Sequence, residues 1–137
     1  MARLPKSFHA RTLAKAFPAD HTYKAALYEI DPDVDTYTPS GECSGEGYEP
    51  GGITLTGYRI VEREGGADIA FDTQLDWFNV TVKARAVVVY DADNGDVLSI
   101  MDFGRFAGVI GGIFTVYLNK NGVAGIGEDV EESEITE

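Results

Sequence analysis

Two Asn-Gly steps constrain this chain more than any other feature. Asn94-Gly95 lies between Val87-Val88-Val89-Tyr90 and Val97-Leu98-Ser99-Ile100, and Asn121-Gly122 lies between Phe114-Thr115-Val116-Tyr117-Leu118 and Val123-Ala124-Gly125-Ile126. A two-residue type I′ turn needs positive φ at both central positions, which Asn followed by Gly tolerates best. The spacing therefore predicts two β-hairpins built on β-branched and aromatic runs.

The remaining periodicity is also that of strands. Tyr23, Ala25 and Leu27 alternate with Lys24, Ala26 and Tyr28 until Asp31-Pro32-Asp33 ends the pattern. Ile53, Leu55, Gly57, Tyr58 and Ile60 read as a strand, Glu62 to Gly66 as its turn, and Ala67 to Phe71 as a short strand. From Trp77 to Tyr90 one parity holds Val80, Val82, Ala84, Ala86, Val88 and Tyr90. The other begins with Thr81, Lys83 and Arg85 and ends with Val87 and Val89. One face is thus wet at the start and buried at the end, as when a strand passes from a sheet edge into the middle. With 137 residues, 44% of them hydrophobic, the chain has material for one core. An all-β fold is expected, an antiparallel β-sandwich or barrel-like domain, with Phe71, Trp77, Phe78, Phe103, Phe106 and Phe114 as core aromatics.

Charge separates the two ends from this body. Residues 1–24 hold five cations against Asp20, a net +4, while residues 128–137 hold six carboxylates, on a chain of net −12. Residues 1–22 read as a basic arm in which Ala10 to Phe17 forms a short helix stopped by Pro18; it is too short to be stable unless it docks. The β-domain spans 23–127, and 128–137 is a tail too acidic to repay its ordering entropy, hence flexible. The charge balance argues against direct nucleic-acid binding. The apolar run from Phe103 to Leu118 contains Arg105 and four glycines and falls short of a membrane span, and no secretory signal is expected at the N-terminus. Single Cys43 leaves no internal disulfide framework.

Candidate chemistry is sparse. Asp91, Asp93, Asn94 and Asp96 resemble a calcium loop, but the glycine falls at the fifth position and no closing Glu follows, so a turn is favoured. Asp31, Asp33 and Asp35 would share a face of extended chain without converging. His9 and His21 show no triad arrangement, and Cys43, among glycines and glutamates, has no basic neighbour to activate it. No catalytic residue, metal or cofactor is therefore expected. The Pro39 to Gly52 loop, with five glycines and two prolines, is a candidate interaction surface centred on Tyr48. The stretch from Gly104 to Gly112, charged only at Arg105, is either buried by its own domain or meets another subunit. Trp77, Tyr37 or Tyr48 would supply a sugar-stacking face if exposed.

The order of these elements resembles the small virion structural proteins of tailed bacteriophages. The resemblance runs from Tyr23-Lys24-Ala25-Ala26-Leu27-Tyr28 and Gly45-Glu46-Gly47-Tyr48-Glu49-Pro50-Gly51-Gly52-Ile53-Thr54-Leu55 through Phe71-Asp72, Trp77, Thr81 to Tyr90 and Asp102-Phe103-Gly104. It closes on Gly112-Ile113-Phe114-Thr115-Val116 and Asn121-Gly122, covering about Tyr23 to Ile126. It implies a β-sandwich on the capsid surface of a virion assembled in the host cytoplasm. The implied role is a decoration or cement protein, without enzymatic activity, contacting the major capsid protein and itself as a homotrimer. Neck or tail placement is an alternative, and a carbohydrate-binding module a competitor of another class. The contact candidates are Arg3, Lys6, Arg11 and Lys15 in the arm, with Tyr48, Arg105 and Phe106 in the body.

Overall fold

The computed structural model describes residues 5, 7–30, 38–72, 74–118 and 124–127. Helix α1 (Phe8–Ala16) precedes β1 (Tyr23–Tyr28), β2 (Ile53–Thr54), β3 (Arg59–Arg63), β4 (Gly66–Ala70), β5 (Leu75–Asp91), β6 (Val97–Val116) and β7 (Ala124–Gly127). The fold is all-β with antiparallel pairing, in two sheets ordered β2-β1-β5-β6 and β3-β4-β7. Both sheets and α1 contribute to one apolar core that includes Leu13, Leu27, Ile69, Phe71, Trp77, Val87 and Phe114. Among the described residues, no helix is long and apolar enough to cross a membrane.

The basic arm is tied to this core. Helix α1 packs against β3 and β4. Leu13 is buried, and Ala10 and Phe17, at helical spacing from it, are partly buried. Ending the helix before Pro18 frees carbonyls that need donors. The hydroxyls of Tyr58 and Tyr23 donate to the carbonyls of Phe17 and Pro18, each at 2.6 Å. Docking thus supplies what a nine-residue helix lacks in isolation.

Strand β1 is buried on both sides because β2 and β5 flank it in the sheet and both faces are covered. Tyr23, Ala25 and Leu27 enter the main core, while Ala26 and Tyr28 join Ala86, Val88 and Tyr90 in a second cluster on the opposite face. Thr38 and Gly51, near the two ends of the segment between β1 and β2, meet that second face, whereas Cys43 and Tyr48 within it pack into the main core. Tyr28 donates to the Thr38 carbonyl, and Tyr90 donates to the Gly51 carbonyl at 2.7 Å. The change of pattern along β5 has the same origin: β1 pairs with β5 only from Ala86 to Asp91, where both faces are buried.

Three local expectations are corrected. The Asn94-Gly95 hairpin joins β5 to β6, but only Gly95 has positive φ, so its turn is not type I′. Gly95 N instead donates to the Asp91 carbonyl at 2.7 Å, giving a wider turn. The Asn121-Gly122 step lies outside the described residues, and the strands around it do not pair with each other: β6 pairs with β5, and β7 with β4 in the other sheet. Long-range pairing overrides the local turn preference here. Finally, Ile53 to Ile60 is not one strand, because the chain changes sheets between β2 and β3. Leu55 N still donates to the Tyr23 carbonyl at 2.8 Å, whereas Asp72 N donates to the Thr56 carbonyl at 2.9 Å. Gly57, at φ +75°, permits the bend.

If α1 is part of the folding unit, Leu13→Ala should destabilise the whole domain by about 2–5 kcal/mol in urea unfolding, in one transition. A loss below about 0.5 kcal/mol would show that the helix contributes little.

Candidate interaction surface

Beyond Ala86 the β5–β6 hairpin extends past the end of β1 as a two-stranded ribbon. Its inward side chains, among them Leu75, Trp77, Val80, Val82, Ala84 and Phe114, are buried in the main core. Its pairing is irregular. Ala84 faces Ala107 and Ala86 faces Asp102, so Phe103 to Phe106 bulge opposite Arg85 alone. The bulge is shaped by Gly104, at φ +79°, whose N–H donates to Asp102 Oδ1 at 2.8 Å. Further irregularities coincide with positive φ at Asn79 and Gly111; Gly111 N donates to Thr81 Oγ1 at 2.9 Å.

The outward side of this ribbon is apolar and uncovered. Phe78, Phe106, Ile110 and Ile113 are exposed there, followed by Tyr117 just past the end of β6. Phe78 and Phe106 therefore do not belong to the core, which correctly includes Phe71, Trp77 and Phe114, with Phe103 partly buried against them. Phe78 follows buried Trp77, and strand alternation turns it outward. Next to the row lies an open trough of about 720 Å³, floored by Thr81 and Lys83 and walled by Ser44 and Gly45 opposite Phe106 and Ile110. Cations gather around Phe106. Lys83 Nζ lies 4.7 Å and the Arg85 guanidinium 5.8 Å from its ring centroid, distances at which the ring face attracts positive charge. Arg85 also lies 4.0 Å from Asp102, whereas exposed Arg105 lines a separate trough with Met101, Phe103, Ala107 and Phe114.

The seven contact candidates separate into three groups. Arg105 and Phe106 lie on this ribbon, and Arg11 and Lys15 are exposed on α1. Arg3 and Lys6 lie outside the described residues. Tyr48 is corrected: it is buried, stacked on Trp77 with centroids 6.4 Å apart. Its oxygen accepts the Leu27 N–H at 2.9 Å and its hydroxyl donates to Glu42 at 2.6 Å. Burial, then the Glu42 carboxylate, push this hydroxyl well above the ordinary tyrosine range. Trp77 and Tyr48 are interior and so offer no exposed ring for sugar stacking; Tyr37 lies outside the described residues. Ile113 was obscured in sequence because alternation alone does not say which face of a ribbon another element covers.

A second cluster joins the arm to the hairpin. His21 Nδ1 is 2.7 Å from Asp91 Oδ2, and His21 Nε2 is 4.0 Å from Asp93 Oδ2. Asp91 is fully buried, and its other oxygen accepts the Asp93 N–H at 2.9 Å. These are the described residues that bring three metal-type ligand atoms within 4.8 Å of one another. Both Asp91 oxygens are nevertheless engaged within the fold, and Asn94 Oδ1 accepts the Asp96 N–H, so the calcium-like sequence serves the turn. The seventy-residue separation of His21 and Asp91 hid this pair from sequence reading. Cys43 is buried, and desolvation, reinforced by Glu29 and Glu42, pushes its thiol up to about 12, far from thiolate reactivity. Comparison with protein-family models, characterised proteins and solved structures finds no match to this chain.

The hydrogen bond to Asp91 raises the His21 pKa above its usual 6.5, against the opposing effect of burial. A raised folded-state value means that this contribution is fully present below about pH 6.5 and is lost as pH rises through the raised pKa. The melting temperature should therefore fall over that interval, and His21→Asn should remove this part of the slope. Parallel wild-type and variant profiles would place the pH dependence elsewhere.

Proposed function

We propose that this chain is a virion structural protein of a tailed bacteriophage, a capsid decoration or cement protein that acts by adding buried contact between subunits and performs no reaction. The observation that carries this reading is the apolar row on the β5–β6 ribbon. Among the described residues Tyr23, Tyr28, Tyr48, Phe71, Trp77, Tyr90 and Phe114 are buried, whereas Phe78, Phe106, Ile110 and Ile113 stay in water on one side of one ribbon, as association surfaces do. In this reading the two sheets sharing the core close as a β-sandwich. The protein self-associates as a homotrimer on the capsid surface, and its other partner is the major capsid protein. Weak contacts repeated by symmetry then sum to a large stabilisation of the shell. Exposed Arg11 and Lys15 on docked α1 are suited to an acidic patch of the capsid protein.

Because Leu13 and His21 tie the arm to the body, charge reversal tests the arm better than its removal. Arg11→Glu with Lys15→Glu should lower stability by no more than about 1 kcal/mol, the cost of a carboxylate in the last turn of α1, and lower occupancy on shells lacking the protein by about tenfold. Cryo-electron microscopy of such shells mixed with wild type should show symmetric clusters of density over the capsid. Density confined to the portal vertex or tail would replace cement by a neck or tail role, and absence from the particle would overturn the virion reading.

A further inference from the structure

We infer that the outward face of the β5–β6 ribbon is where one copy of this chain meets another. This deepens the proposed function by naming the surface for self-association, and rests on that reading only for its biological setting.

Four observations carry it. The first is area: Phe78 is 61% exposed, Phe106 47%, Ile110 88% and Ile113 58%. Taking full areas of roughly 200 Å² each, these four residues leave on the order of 500 Å² of apolar surface in water. That reaches the upper range for the largest patch on a monomer and approaches the roughly 800 Å² per partner of a stable interface.

The second is shape. The protruding Ile110, Ile113 and Phe78 lie on the same ribbon as the 720 Å³ trough over Thr81 and Lys83. A protrusion and a recess on one face are the elements a self-complementary surface needs, since the knob of one copy can fill the hollow of another.

The third is charge. Most of the chain opposes self-association, because the net charge is −12. Around the trough and the Phe106 ring stand Lys83 and Arg85 against Glu29 and Asp102, two cations against two anions, so this face is close to neutral. Two copies meeting here avoid the like-charge repulsion they would experience between their acidic surfaces.

The fourth excludes simple edge-to-edge pairing. Among the described residues β6 is paired on one side only, yet its ladder is interrupted by the bulge at Phe103–Phe106 and the irregularity at Gly111. Such breaks twist an edge away from continuous pairing with another strand. The face of the ribbon, rather than its edge, is left to make the contact.

The test is sedimentation and light scattering of the full chain. At about 100 µM, wild type should have at least twice the 14.8 kDa chain mass. Ile110→Glu should weaken association by about 30-fold or more, as expected for a central apolar anchor. Phe78→Ser, further along the ribbon, should also weaken it, and both variants should keep the wild-type circular dichroism and melting temperature. A wild-type monomer at that concentration would overturn the inference, as would an oligomer whose mass neither substitution changes. A monomer that still decorates capsids would leave the proposed function standing with the ribbon face assigned to a different polypeptide. An oligomer broken by Ile110→Glu that binds no particle would keep this inference and sink the virion reading.

Discussion

The pairing of β1 with the last six residues of β5 is the constraint on which the rest of the molecule depends. From Tyr23↔Asp91 to Tyr28↔Ala86, every residue except half-buried Lys24 is buried, and all but Lys24 and Asp91 enter either the main core or the second cluster. Backbone groups buried on both faces must be satisfied by ladder hydrogen bonds, so register here is strongly fixed. The position of Asp91 follows from that register. Its buried carboxylate meets His21 while the neighbouring Ala92 N–H donates to Thr22, so the end of β5 also anchors the junction between helix and sheet.

The same pairing explains the unequal treatment of the two halves of β5. Where β1 runs alongside it, Thr38 and Gly51 meet Tyr28 and Tyr90 on the outer face; Glu42 accepts hydrogen bonds from Tyr48 and from Gly51 N, holding this glycine-rich segment in place. Gly45 and Gly52 bring the backbone so close to Thr81 and Ala25 that a side chain at either position would collide with it. Past Ala86, β5 keeps β6 on one side, while on the other side a loop contact takes over, with Thr81 N donating to the Glu46 carbonyl. The ribbon therefore has a buried inner face and an open outer face. Its bulges increase local twist and set Phe106 beside Lys83 and Arg85.

Much of this architecture was legible from local pattern. Alternation located β1, β4 and β5, Pro18 ended α1, and Asn94-Gly95 marked the β5–β6 connection, because each depends on side chains close in sequence. The interaction surface was only half legible. An apolar stretch around Val109 and Ile110 with little charge stood out, and Phe106 was singled out with it. Tyr48 was placed in the wrong environment because a glycine-rich loop reads as surface until one sees it folded back over a sheet. Phe78 was placed in the core because its neighbour Trp77 belongs there, and the two alternate across the strand.

By itself, the sequence determined that the chain is an acidic, antiparallel β protein with one apolar core, because periodicity, turn chemistry and charge are properties of neighbouring residues. Only the tertiary structure decided that β7 joins β4 rather than β6, that His21 meets Asp91, and that one side of the ribbon stays uncovered. Each of those outcomes depends on which distant segments approach in space, and strand alternation repeats identically whether or not anything lies above the face it creates.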